Sequence, residues 1–180
     1  MRRHTRAPRL GLIALAIALV TWAIPVRAAE LPGSLTFDFT QALVGSLHAE
    51  HEAHFSPAQA LVVEGRYTSI EAGDYVLRGP GIGLGYRLYA RGLEPMSLWI
   101  GAAAGVTFPS APSQTSPRVL RGSLTDLSAQ IGHRWRAESG VVANFYIAYE
   151  VHEGQVNDDV ETIAVRDGGL AIHLQVGFAL

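Results

Sequence analysis

Cysteine is missing from the 180-residue sequence, which excludes disulfide bonds and thiolate metal sites as the means of holding the fold together. Lysine is missing as well, so all fourteen basic residues are arginines. No basic cluster stands out, and nucleic acids need clustered cations to release their counterions. The length suits one ordinary domain. We therefore expect a single domain without covalent cross-links and without a nucleic-acid partner.

The first 28 residues have the three-part pattern of an export signal. Four arginines precede residue 10, an unbroken apolar run covers residues 10–24, and Val26 and Ala28 fit a cleavage site after Ala28. The alternative is an uncleaved membrane anchor, which would normally need roughly 20 apolar residues to match the bilayer core. We predict a cleaved signal peptide at 1–28 and one mature domain at 29–180. The mature chain is acidic, because nine arginines face sixteen carboxylates, a net charge of −7.

The last eleven residues alternate strictly between apolar side chains and small or polar ones. Leu170, Leu174 and Phe178 belong to one face, and His173 and Gln175 belong to the other. A period of two over this length does not fit a helix, so it predicts a β-strand that runs to the last residue. The same alternation recurs upstream and predicts eight strands. They cover residues 34–42, 45–55, 59–70, 81–89, 98–108, 120–136, 141–151 and 170–180.

Two of these strands are irregular. In 120–136 the apolar side chains change parity after Leu124, which predicts a β-bulge near Thr125 and Asp126. The link between the first two strands has almost no length. Residues 34–44 are therefore either a barrel strand or a short plug or helix.

The connections between the predicted strands alternate in length, counted back from the C-terminus. This is the pattern of an up-and-down barrel whose short turns face the periplasm and whose long loops face outside. The short connections are 56–57, 91–95 and 136–140, and the long polar ones are 71–80, 109–119 and 152–167.

The residue types on the two faces distinguish a membrane barrel from a soluble one. A soluble barrel needs a polar outer face, whereas here the second face is largely glycine, alanine, serine and a few charges, which suit the narrow interior of eight strands. Closure of the barrel also pairs every backbone N–H and C=O group within the protein, as the hydrocarbon core requires. We predict an all-β, antiparallel up-and-down transmembrane β-barrel of eight strands. Its lipid-facing aromatic girdle would be Phe55, Tyr67, Phe108, Trp135, Tyr149 and Phe178.

The export signal, the alternating strands at 81–89, 98–108 and 141–151, and the terminal Leu-Gln-Val-Gly-Phe-Ala-Leu resemble the small outer-membrane β-barrel domains of Gram-negative bacteria. The resemblance covers most of the mature chain. Relatives commonly end in an aromatic residue that the barrel-assembly machinery reads, whereas here Leu180 is last and Phe178 lies two residues before it. The resemblance implies an outer-membrane location, insertion by that machinery and contact with outer-membrane lipid. We expect a monomer.

The densest group of candidate ligands lies in 48–54, where His48, Glu50, Glu52 and His54 share one face of a strand. The histidine spacing of three and three does not match the zinc-protease pattern. These residues are either a polar interior stripe paired with arginines or a weak divalent metal site, and no cofactor is predicted. The interior network is predicted to contain Glu64, Arg66, Arg87, Arg134 and Glu150.

Two further motifs are weak. No helix follows the glycine run at 79–85 to hold a phosphate, so glycine there more plausibly makes room inside the barrel. The acidic segment 154–161 lacks the EF-hand spacing and is better explained as a solvated loop.

Three functions remain open on the sequence. We favour a non-enzymatic outer-membrane barrel with a structural or interaction role carried by its outer loops. The alternatives are a lipid-modifying outer-membrane enzyme and a soluble periplasmic barrel that binds an apolar ligand inside. For the enzyme, His133 and His152 are the first histidines to examine, although no catalytic triad is legible.

Overall fold

The computed structural model describes residues 33–72, 74–91, 95–113 and 119–180, so the predicted signal peptide lies outside the described residues. Within these ranges, no helix is both long and apolar enough to cross a membrane. The elements in chain order are β1 (Ser34–Asp38), α1 (Phe39–Leu43), β2 (Leu47–Ser56), β3 (Gln59–Ala72), β4 (Tyr75–Tyr89), β5 (Met96–Thr107), β6 (Ser110–Pro112), β7 (Val119–Arg136), β8 (Val141–Asn157) and β9 (Thr162–Ala179).

The strands form one closed antiparallel ring. Neighbouring strands pair in chain order, and β1 pairs with β9 to close the ring. The short β6 continues β5 without a change of register, since Thr107 is paired with Gly81 and Ser110 with Arg78. Counting β5 and β6 as one interrupted strand, the ring has eight strands. The predicted up-and-down barrel is confirmed.

The two ends of the barrel differ in their connections. One end contains the start of β1, the finish of β9, the turn at 57–58 and the turn at 137–140, where Gly140 has a φ of 86°, a region that glycine favours. We call it the turn end. The opposite end contains α1 and the tips of the β3–β4 and β8–β9 hairpins, and we call it the hairpin end.

The first connection is a strand followed by a helix. Of the predicted strand 34–42, only Ser34–Asp38 is extended, and the next five residues form α1. Asp38 caps this helix, because its Oδ1 accepts a hydrogen bond from the Gln41 backbone N–H at 3.0 Å. The up-and-down pattern requires a connection between β1 and β2, but the predicted strands left almost no residues for a loop there. The single turn of α1 provides that connection.

Apolar side chains cover the outside of the barrel and polar side chains fill its inside. Leu84 is 59% exposed and Ile147 and Leu174 are each 42% exposed, whereas Arg87 is 1% exposed and Gln175 is 0% exposed. The predicted assignment of the two faces is therefore confirmed. A soluble barrel with an apolar interior would need the reverse arrangement.

The apolar outer band has the height of a bilayer core. On β8 it extends from Val141 to Val151, ten residue steps of about 3.3 Å each, which gives about 25 Å for a strand tilted by roughly 40°. Of the predicted girdle, five side chains are exposed on the outer surface and Tyr67 is half-buried. The exposed five are Phe55, Phe108, Trp135, Tyr149 and Phe178.

Beyond this band the polarity of the two faces is reversed, so that apolar side chains point inwards and polar side chains point outwards. At the hairpin end of β7, Leu120 and Leu124 point inwards and are fully buried, whereas Arg121, Ser123 and Thr125 are exposed outside. The inner side chains pack into an apolar cluster that joins five strands and β6. Its buried members are Ile70, Leu77, Ala111, Leu120, Leu124, Val156 and Val165.

This exchange corrects two predictions. The register of β7 with β5 and with β8 is continuous, so the bulge predicted near Thr125 and Asp126 is wrong. The parity changes because the inner face becomes apolar above Asp126, while the backbone alternates without a break. The segments 71–80 and 152–167, predicted as loops, are mostly strand, because polar residues there cover a solvated outer face.

Candidate functional site

Polar side chains from seven strands meet in the barrel interior at the level of the apolar outer band. They form two groups that share Glu50. The lower group, nearer the turn end, consists of Glu52, His54, Arg87, Tyr89 and Arg134. The upper group, nearer the hairpin end, consists of Asp38, His48, Glu64, Arg66, Asp126, Glu150, His152 and His173.

Glu52 is the centre of the lower group. Its Oε2 accepts hydrogen bonds from Arg87 Nη1 at 3.0 Å and from the Tyr89 hydroxyl at 2.6 Å, and its Oε1 is paired with Arg134 and His54. Arg87 also donates through Nη2 to Glu50 at 2.6 Å. Buried charges of both signs are thus paired and hydrogen-bonded, which is the condition for holding them away from water.

Aromatic rings enclose the lower group. The Arg87 guanidinium carbon lies 4.1 Å from the Trp99 ring centroid and 5.7 Å from that of Tyr146, within cation–π range. Gly132 makes room for the Trp99 ring, because a Cβ at that position would lie 2.6 Å from the ring. These side chains fill the cross-section of the barrel, as expected for eight strands.

In the upper group two histidines are each held by a carboxylate. His173 Nδ1 lies 2.6 Å from Asp38 Oδ2, and its Nε2 lies 3.0 Å from Glu150 Oε1. His152 Nδ1 lies 2.7 Å from Asp126 Oδ1. A carboxylate on one ring nitrogen fixes the orientation of the imidazole, so both rings are preorganised.

His48 is placed differently from these two histidines. Its Nδ1 lies 3.8 Å from Asp38 Oδ2, and its Nε2 lies 3.7 Å from Glu50 Oε1 and 3.9 Å from Glu64 Oε2. These separations exceed hydrogen-bond length. Among the described residues, two sets have ligand atoms close enough to share a metal ion. They are Asp38, His48 and His173, and His48, Glu50 and Glu64.

A cavity of about 200 Å³ adjoins the upper group. His48, Glu64, His152 and His173 line it, and Ser46 lies among its lining residues from the hairpin end. Water occupies about 30 Å³ per molecule in the liquid, so the cavity has room for several waters beside polar partners. The upper group therefore borders a polar cavity that is large enough for water, whereas the side chains of the lower group are packed against one another.

All five residues predicted for the interior network face the inside of the barrel. Arg87 and Arg134 lie in the lower group, and Arg66 in the upper group has its Nη2 3.5 Å from Glu64 Oε2 and 3.7 Å from Asp126 Oδ2. Glu150 is paired with His173.

The four weak metal candidates divide between the two groups. His48 and Glu50 face Glu64, whereas Glu52 and His54 pair with Arg134. Asp38 and His173 are site residues that the sequence patterns did not predict. The alternation of β1 and β9 could have identified them, because it places both side chains on the inner face.

The remaining candidate motifs do not converge on a site. His133 lies on the outer face of β7 and His152 on the inner face of β8, so the two histidines cannot act together. Within the glycine run, a Cβ on Gly83 would lie 2.9 Å from Glu64 Oε2, so glycine makes room there for an interior side chain. In the acidic segment, Asp158 Oδ1 accepts hydrogen bonds from the backbone N–H groups of residues 160 and 161, both at 2.8 Å.

Comparison with known proteins relates the chain to solved outer-membrane barrels by fold. The N-terminal β-barrel domain of Pseudomonas aeruginosa OprF superposes with a TM-score of 0.54 at 10% identity, covering 83% of this chain and 96% of that domain. Neisserial surface protein A (NspA) superposes with a TM-score of 0.53 at 15% identity, covering 82% of this chain and 96% of that protein. No protein-family model and no curated protein matches the sequence. The chain therefore has the eight-stranded antiparallel fold of small outer-membrane β-barrels.

Proposed function

We propose that this chain spans the bacterial outer membrane as a closed barrel without catalytic activity and acts there as a structural or interaction protein through its hairpin end. The observation that carries the proposal is the exchange of apolar and polar faces along single strands. An apolar outer surface about 25 Å tall fits hydrocarbon, and the polar outer surface beyond it fits water. The fold shared with OprF and NspA supports the same placement.

The interior favours a structural role over a conducting one. Arg87, Arg134 and Glu52 are each at most 2% exposed and are linked to one another across the barrel. Side chains that are buried and linked in this way occupy the cross-section that a conducting barrel would leave open. The hairpin end presents the solvated surface, and its apolar inner cluster keeps those strands ordered beyond the bilayer.

Single-cysteine labelling tests the placement, because the natural chain has no cysteine to interfere. Ile147→Cys and Gln155→Cys lie on the outer face of the same strand, the first within the apolar band and the second beyond it. With a membrane-impermeant maleimide on intact cells, we expect strong labelling at position 155 and almost none at 147.

Outer-membrane fractionation and a heat-dependent gel shift of the folded barrel provide the control for insertion. A chain that is recovered in the soluble periplasmic fraction would contradict the proposal. Equal labelling of both cysteines in the intact membrane would also contradict it.

A further inference from the structure

Carboxylates outnumber arginines in the interior of the barrel. Among the described residues, the interior ion pairs involve three arginines and six carboxylates; four of the carboxylates face an arginine and the other two face only histidines. Buried charge of one sign is costly unless a counter-charge is close. Protonated histidines, a protonated carboxylate or a bound cation can balance the difference of three. The six carboxylates are Asp38, Glu50, Glu52, Glu64, Asp126 and Glu150.

Three of the six carboxylates lie within 4 Å of a ring nitrogen of His48. Glu50 is 1% exposed and Glu64 is 4% exposed, and both direct an oxygen towards the Nε2 of His48. That nitrogen is buried and makes no hydrogen bond within the described part of the chain. A buried ring nitrogen without a partner is costly, and here it faces two anionic oxygens at nearly equal distance.

The three atoms are spaced as ligands of a small cation are. A zinc ion binds nitrogen and oxygen at about 2.0 to 2.2 Å, which places neighbouring tetrahedral ligands about 3.3 Å apart. The observed separations from Nε2 are 3.7 Å to Glu50 Oε1 and 3.9 Å to Glu64 Oε2. Side-chain movements of roughly half an ångström would close this difference.

We propose that His48 Nε2, Glu50 and Glu64 bind one divalent first-row transition-metal ion, such as Zn²⁺ or Mn²⁺. One imidazole with two carboxylates suits these ions, whereas Ca²⁺ and Mg²⁺ prefer oxygen ligands alone. His48 and Glu64 also line the polar cavity, whose volume would admit water molecules to complete the coordination of the ion.

The surroundings of His48 fit this role. Asp38 Oδ2 lies 3.8 Å from the other ring nitrogen, Nδ1. The small movement of the ring that metal binding requires would bring these two atoms within hydrogen-bond range, where Asp38 would orient the metal-bound histidine. The alternative set of Asp38, His48 and His173 is less suited. Both ring nitrogens of His173 already face carboxylates, at 2.6 Å from Asp38 and 3.0 Å from Glu150.

Metal content and affinity test the site on the full mature chain, folded in detergent and stripped with a chelator. We expect about one Zn²⁺ per chain after dialysis, measured by plasma mass spectrometry. His48→Gln and Glu64→Gln should each weaken binding by at least about 100-fold, and Asp38→Asn by about 10-fold to 100-fold. Co²⁺ titration should give a visible absorption band that Glu64→Gln abolishes.

Two matched variants keep the assignment falsifiable. His51→Gln lies on the opposite face of β2 and should leave the affinity unchanged. His173→Gln should retain binding, so loss in His173→Gln together with retention in Glu64→Gln would overturn the proposal in favour of the other set. A native chain that binds no Zn²⁺, Mn²⁺ or Co²⁺ would overturn it outright. The heat-dependent gel shift verifies folding, and if His48→Gln fails to fold, the near-isosteric Glu64→Gln decides the result.

Discussion

The bilayer-level half of this barrel, which is the part surrounded by the apolar outer band, and the hairpin end place their polar residues on opposite faces of continuous strands. Within the band, Ile147 faces outwards and Arg87 is buried inside. Beyond it, Leu124 is buried inside and Glu153 is exposed outside. The strands and their register continue across the boundary. This reversal is what the proposed placement requires, with lipid around one region and water around the other.

The largest expected effect comes from the buried charges of the bilayer-level half. Glu52→Ala leaves Arg87 and Arg134 without their shared partner, and we expect it to lower the free energy of unfolding by about 3 to 5 kcal/mol. Glu153→Ala removes an exposed carboxylate at the hairpin end and should change it by less than about 0.5 kcal/mol. Urea unfolding in lipid vesicles measures both. Similar values for the two variants would mean that the interior charges are solvated.

A second comparison uses two leucines of β7. Leu124→Ala should cost about 2 to 5 kcal/mol, because it opens a cavity in the apolar cluster of the hairpin end. Leu127 is 53% exposed on the lipid-facing surface, and Leu127→Ala should cost clearly less, because lipid fills the space. A larger cost at position 127, in the same vesicle assay, would contradict the packing described for the hairpin end.

Charge on the outer face distinguishes the two regions directly. Ile147→Arg places a cation in the hydrocarbon band and should destabilise the folded barrel by about 2 to 4 kcal/mol. Gln155→Arg adds the same cation to the same face of β8 beyond the band and should have little effect. If the heat-dependent gel shift showed the two variants to be equally stable, the apolar outer surface of the barrel would not be the part in contact with hydrocarbon.

The smallest effect concerns the boundary between the regions. The buried Thr107 hydroxyl donates a hydrogen bond to Asp126 Oδ2 at 2.7 Å, so Thr107→Val should cost about 1.5 kcal/mol. Thr125 is exposed outside at the same level, and Thr125→Val should be almost neutral. Equal costs would place the boundary elsewhere along β7.

The strands were predictable because alternation is a local signal. A period of two over residues 141–151 or 170–180 identifies a strand and its two faces from consecutive residues alone. The same signal gave a wrong prediction at Leu124. If every apolar side chain of the strand pointed outwards, a bulge would be needed there. The orientation of the apolar side chains reverses beyond the apolar outer band, and the residue pattern of a single strand does not show where that band ends.

The site was predictable only in part. Residue type and parity were sufficient to place Glu64, Arg66, Arg87, Arg134 and Glu150 in one interior. Which carboxylate meets which arginine depends on strand register and barrel stagger, which are set by closure of the whole ring.

Residue type and a spacing of two are enough to predict seven strands and, within the apolar band, the inner and outer face of each, whereas the first strand stayed open. Closure of the ring sets three further features: Glu52 joins Arg87 to Arg134, His48 lies between Asp38, Glu50 and Glu64, and the hairpin end has an apolar interior. These contacts connect residues far apart in the chain, and their geometry exists only once β1 has paired with β9.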